Sequence, residues 1–187
     1  SIELIMNKIL LWFNQTGSPP RFDRFAERWS SPSLYLATVL LAIGVYGALL
    51  VVPADYKQGD SFRILYIHVP AAWMRLMIFV IMAIQSAIAL IWRIKISELL
   101  AMASAPIGAV FTAITLISGS VWGKPTWGTW WTWDPRLTSE LVLLFLFLAV
   151  IGLYTAIEDR RAAGRAACFM AIVGVVNVPI VHFAVTW

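Results

Sequence analysis

Five stretches of this chain, at about 33–53, 70–92, 98–118, 137–157 and 167–187, are apolar over roughly the 20 residues needed to cross a hydrocarbon core of about 30 Å. Backbone N–H and C=O groups in lipid must find partners within the protein, and only helices do so without closing a barrel. The expected fold is therefore an all-α integral membrane protein, a bundle of five transmembrane helices. Composition agrees, since 60% of the 187 residues are hydrophobic and 13% are charged, against about 25% charged in a soluble domain. That length allows one bundle.

The links between spans are 54–69, 93–97, 119–136 and 158–166. Residues 1–32 read as an N-terminal interfacial segment and 33–187 as the transmembrane bundle. The run 3–14 (ELIMNKILLWFN) is too short to span and reads as an amphipathic helix lying in the bilayer surface. Gly17, Pro19 and Pro20 end it. Phe22, Phe25 and Trp29 then share one helical face, which predicts a second surface helix over 21–29. Ser30, Ser31 and Pro32 supply the start signals of the first span. The chain begins at Ser1, and residues 1–15 lack a basic n-region and a cleavage site, so no signal peptide is expected.

Basic residues set the orientation. With the N-terminus inside, nine of the fourteen fall on the inner side: Lys8, Arg21, Arg24, Arg28, Arg93, Lys95, Arg160, Arg161 and Arg165. Five fall outside: Lys57, Arg63, Arg75, Lys124 and Arg136. The N-terminus is expected to be cytoplasmic, with 119–136 on the opposite side. The net charge of +4 thus reflects topology, and no nucleic-acid partner is implied. Small residues around Pro106 in the third span predict close helix packing and a kink.

The stretch 122–135, WGKPTWGTWWTWDP, holds five of the ten tryptophans: Trp122, Trp127, Trp130, Trp131 and Trp133. Gly123 and Gly128 interrupt it, and Asp134 and Pro135 close it. It fits neither a helical face nor a strand alternation, and reads as an ordered loop over 119–136. Tryptophans anchor helix ends in interfaces, so two or three need no further role. Five in twelve residues, with glycines that permit tight folding, favour a site for a flat aromatic ligand. Asp134 reads as the cap of the following helix, and Glu140 as the partner of Arg136.

His68 and His182 are the only histidines. His68 lies just before Pro70, where the second span is expected to start. His182 lies about 21 Å of helical rise beyond Cys168, in the outer third of the bilayer. Both fall on the tryptophan side. A lone interfacial histidine is more often a packing residue; two on one side point to axial ligation of haem iron. Arg63, Arg75, Lys124 and Arg136 on that side are candidates to pair with propionates. The single Cys168 allows no intrachain disulfide and reads as a small buried hydrophobe. GSVWGK, Gly119 to Lys124, is one residue short of a phosphate loop, so ATP hydrolysis would need another subunit. No independent catalytic activity is expected.

The segment WGKPTWGTWWTWDPRLTSELVLLF, with HVPAAW at the second span and VNVPIVHFAVTW at the fifth, resembles the haem-handling family of cytochrome c maturation protein C. The resemblance covers about 33–187. Large synthase subunits share a tryptophan-rich stretch ending in Trp-Asp-Pro, but have many more helices. The resemblance implies haem b on the outer face, against a Trp-rich periplasmic loop. It implies His68 and His182 as axial ligands, and a cofactor-binding set of Trp122, Gly123, Trp127, Gly128, Trp130, Trp131, Trp133 and Asp134. It implies delivery to a membrane-anchored periplasmic haem chaperone in a bacterial or equivalent organellar inner membrane. Implied partners are an ABC transporter, with ATPase and permease subunits, and a small single-helix subunit. The family has six helices, so a sixth helix and the outer loop before it are expected to be missing here. Two other functions fit the same residues: a structural transporter subunit whose tryptophans only anchor it, and a membrane electron-transfer haem protein.

Overall fold

The computed structural model describes residues 18–184. The surface helix expected at 3–14 and the last three residues of the fifth span lie outside them. Five helical segments are long and apolar enough to cross a membrane: Pro19–Val51, Asp60–Trp92, Lys95–Trp127, Pro135–Ala156 and Arg160–Phe183. The described residues contain no strand. This is a multi-span, all-helical membrane protein.

The described residues divide into two units, 18–53 with 94–96, and 54–93 with 97–184. In the first, α1 (Pro19–Tyr46) runs on into a π-helical turn, Gly47–Val51. The break expected at 30–32 is absent, and the predicted surface helix and first span are one helix. Pro19 and Pro20 open it, where a missing N–H costs nothing. Pro32 costs one backbone bond, and the Ser30 hydroxyl donates to the Glu27 carbonyl at 3.3 Å beside it. Such proline defects are tolerated within apolar spans.

The second unit holds α2 (Leu65–Trp92), α3 (Lys95–Trp127) from Ser97 onward, α4 (Pro135–Ala156), α5 (Arg160–Gly174) and α6 (Asn177–Phe183). A 3-10 turn, Asp60–Ile64, leads into α2, so His68 and Pro70 lie inside its first two turns rather than ahead of it. The largest correction concerns α3, whose 33 residues continue through Trp127. Residues 119–127 are helix, and only 128–134 are loop. At 1.5 Å per residue α3 is about 50 Å long, well beyond a core of about 30 Å. Its last turns therefore rise past the apolar layer. Loss of hydropathy there marks the end of lipid, not the end of the helix. Gly128, at φ +79°, ends it with its amide on the Lys124 carbonyl at 3.0 Å.

The last span is two helices, with a turn at 175–176, and starts at Arg160, seven residues before the expected 167. Asp159 caps it by accepting from the Arg161 and Ala162 amides, each at 3.2 Å. The core joins Phe79 and Met82 of α2, Ala101 and Ala105 of α3, Leu143 and Phe147 of α4, and Ala167 and Ala171 of α5. Phe79 and Phe147 meet edge to face at 4.8 Å. Of the small residues of α3, Ala101, Ala105 and Gly108 are buried, as is Thr112. A Cβ at Gly108 would collide with the Phe147 ring.

Candidate functional site

One stripe of α3 carries Thr115, Gly119, Trp122 and Thr126, spaced as neighbours on a helical face. It forms a wall of a cavity of about 300 Å³, at the small end of the range for ligand sites. His68 and Arg75 of α2 line it, as do Trp127 of α3, Arg136 and Glu140 of α4, and Val181 of α6.

His68 reaches the stripe because α2 begins early. Its Nδ1 lies 2.9 Å from Ser118 Oγ, and its ring centre is 6.1 Å from that of Trp122. Trp122 is tied from outside, its indole N–H donating to Gln58 Oε1 at 2.9 Å. Gln58 is held by a tight turn, in which Asp55 Oδ1 accepts from the Lys57 and Gln58 amides at 2.8 Å each. Gly59, at φ +59°, closes that turn.

Deep in the cavity Arg75 Nη2 pairs with Glu140 Oε2 at 2.6 Å, and both residues are about 5% exposed or less. The expected pairing of Glu140 with Arg136 is therefore corrected. Arg136 instead bonds Asp134 Oδ2 at 3.0 Å and stacks over Trp127, its guanidinium carbon 4.9 Å from the ring centre. Arg75 Nε and Nη1 and Glu140 Oε1 are buried without a hydrogen-bond partner. An unpaired buried charge-bearing group is costly, and the contact between Arg75 and Glu140 offsets part of that cost.

Asp134 caps α4, as its Asp-Pro step predicts. Oδ1 accepts from the Leu137 amide at 2.9 Å, and Oδ2 accepts from the Thr132 hydroxyl at 2.9 Å. Partial burial would push its carboxyl up, but the Leu137 amide, Thr132 hydroxyl and Arg136 guanidinium together hold it below the usual carboxylate value. The cap therefore stabilises fully above the ordinary carboxylate range and is lost as pH falls through the lowered value. Asp134→Ala is expected to cost about 1 kcal/mol of α4 stability, and Asp134→Asn less. Thermal melting in detergent at neutral pH checks this; equal melting of all three proteins would refute it.

Of the ten residues expected to bind the ligand, the structure brings His68, Trp122 and Trp127 onto the cavity. Gly123 is helical and leaves room for Trp127, whose ring would stand 2.8 Å from a Cβ there. Gly128 ends α3. Trp130 lies over Lys124, 5.8 Å from Nζ to ring centre, and Trp131 meets Trp133 edge to face at 5.5 Å. Trp130 and Trp133 are exposed, and the Trp131 indole N–H is buried without a partner. His182 is not among the lining residues. Its ring is exposed, 6.3 Å from Trp73 and 5.3 Å from Phe183. Sequence reasoning missed Ser118, Gly119 and Gln58. The i, i+4, i+7, i+11 spacing of 115, 119, 122 and 126 was the available signal, legible once α3 is carried past 118.

A family model described as Heme exporter protein C matches residues 12–187. Heme exporter protein C of Escherichia coli strain K12 is 51% identical over 175 residues, covering 93% of this chain and 71% of the relative. The protein of that name from Haemophilus influenzae is 45% identical over 176 residues, 94% and 72% of the two chains. The one from Bradyrhizobium diazoefficiens is 45% identical over 172 residues, 91% and 65% of the two.

Proposed function

This chain belongs to the Heme exporter protein C family, and we propose from that premise that it takes up haem at its tryptophan-rich end and hands it on during cytochrome c maturation. The observation that carries the reading is the cavity, with one imidazole, two indole faces and two guanidiniums on a single lining. Among the described residues no three His, Cys, Asp or Glu side chains cluster for a bare metal ion. A single imidazole suits a metal already held in a macrocycle. The Arg75 and Arg136 guanidiniums on the lining suit carboxylates, as haem provides.

In this reading haem b is the cargo. His68 supplies a nitrogen to the iron, Trp122 and Trp127 present aromatic faces, and Arg75 and Arg136 receive the propionates. Gly123, Gly128 and Asp134 shape the end of α3 and the start of α4. Trp130, Trp131 and Trp133 form the outer rim. His182 is the remaining candidate for a second axial position. A cavity this small encloses part of a macrocycle and leaves the rest open to a receiver. That receiver is a membrane-anchored periplasmic haem chaperone, with ABC transporter subunits and a small single-helix subunit as further partners. The nine-to-five split of basic residues supports a cytoplasmic N-terminus and an outward-facing tryptophan end, in a bacterial inner membrane or its organellar equivalent.

The exposed Trp130 and Trp133 favour a second reading, anchoring alone. Haem titration of the detergent-purified protein separates the two. Haem delivery predicts saturable, sharp visible bands that weaken in Trp122→Ala/Trp127→Ala while the protein stays folded. A spectrum identical to haem in empty micelles would sink the proposal and leave the anchor.

A further inference from the structure

An imidazole offers iron only its unprotonated nitrogen, and the partner of the other nitrogen decides which one that is. For His68 the side-chain partner is Ser118, with Nδ1 and Oγ 2.9 Å apart, and the Thr115 backbone also lies within hydrogen-bonding reach of the ring. A serine hydroxyl has one proton. That of Ser118 points back along α3, with Oγ donating to the Ile114 carbonyl at 2.7 Å and the Thr115 carbonyl at 3.2 Å. With that proton kept on α3, Oγ would meet the imidazole through a lone pair, and Nδ1 would carry the hydrogen. The opposite tautomer requires Ser118 to swing its proton onto Nδ1 and give up both carbonyls. Gly119 allows the close approach, because a Cβ at that position would come within 3.2 Å of His68 Cε1.

We infer that Ser118 is a positioning residue, which holds His68 in the Nδ1–H tautomer, flush against α3, and leaves Nε2 as the iron-binding nitrogen. This rests on the haem reading above. The hydrogen bond Nδ1–H···Oγ also fixes the ring's rotation. By drawing on the Nδ1 proton it makes Nε2 a stronger donor to iron. Ser118 touches no ligand itself and acts through His68.

The test uses the full chain in detergent, with ¹⁵N-labelled histidine, before and after loading with haem. His68→Ala identifies the His68 resonances by their disappearance. In the haem-free protein the expected pattern is protonated Nδ1 and bare Nε2. Ser118→Ala should give a mixture of tautomers and about ten-fold faster loss of haem to a scavenger. Its reduction potential should rise as the axial nitrogen donates less. Ser118→Thr, which keeps the hydroxyl, should restore all three. A protonated Nε2 in the unaltered protein would overturn the inference. So would a Ser118→Ala protein with the same tautomer and the same haem loss. If His68→Ala retains haem unchanged, His68 is not the ligand and the inference falls; if the unaltered protein takes up no haem, the haem reading itself fails. If His68→Ala loses haem while Ser118→Ala does not, only the inference fails.

Discussion

Replacing His68 by alanine is expected to remove most haem retention, by more than about a hundred-fold, since losing a ligand should exceed the cost of losing a residue behind one. His68 is the histidine on the cavity lining, with its ring fixed by Ser118 and lying beside Trp122. His182 is exposed, and among the described residues its ring meets those of Trp73 and Phe183. His182→Ala is therefore expected to weaken retention much less and to leave the visible bands closer to those of the unaltered protein. The measurement is the rate at which a soluble scavenger takes haem from each purified variant. Equal losses in the two variants would mean that the end of the chain carries His182 to the iron. No loss in the His68 variant would remove that residue from the site.

Glu140→Ala is expected to destabilise the bundle by about 3–5 kcal/mol, the usual consequence of stripping one partner from a buried ion pair. The pair lies between α2 and α4, both members nearly fully buried. Among the described residues, three buried polar atoms of the pair lack a partner. Without Glu140, the Arg75 guanidinium faces apolar walls and the cavity with no counter-charge. Arg75→Met/Glu140→Leu, which replaces both charges with apolar groups, should recover most of the stability, because the desolvation cost disappears with the charges. Unfolding in mixed micelles measures both. If Glu140→Ala melts with the unaltered protein, the ion pair contributes nothing structural. If the double variant is as unstable as the single one, packing volume rather than unpaired charge is the cause. The double variant also separates fold from ligand binding, since it should stand folded yet lose one of the two guanidiniums proposed to receive propionates.

Some of this protein was legible in its sequence because the determining physics is local. A bilayer demands about 20 apolar residues per crossing, so the five spans appear directly in 33–187. The cap at Asp134 depends on Pro135 and the Leu137 amide, three residues away, and needed no tertiary information. The small face of α3 was visible as Ala101, Ala105 and Gly108. Helix ends were harder to read. Hydropathy falls where lipid ends, whereas a helix ends where its backbone bonds do. For α3 the two differ by nine residues, and with them went Trp122 and Trp127, mistaken for loop.

Contacts between helices were decided by tertiary structure alone. Glu140 could meet Arg136, four residues away, or Arg75, sixty-five residues away, and sequence spacing favours the near one. The rotation of α4 about its axis turns Glu140 inward to α2 and leaves Arg136 on Trp127 and Asp134. Hydropathy gives a helix its inner stripe, but not which neighbour each residue of that stripe meets. The same holds for His68. Its composition and depth marked it as a candidate, but its pairing with Ser118, fifty residues on, exists only because the start of α2 approaches α3 at Gly119.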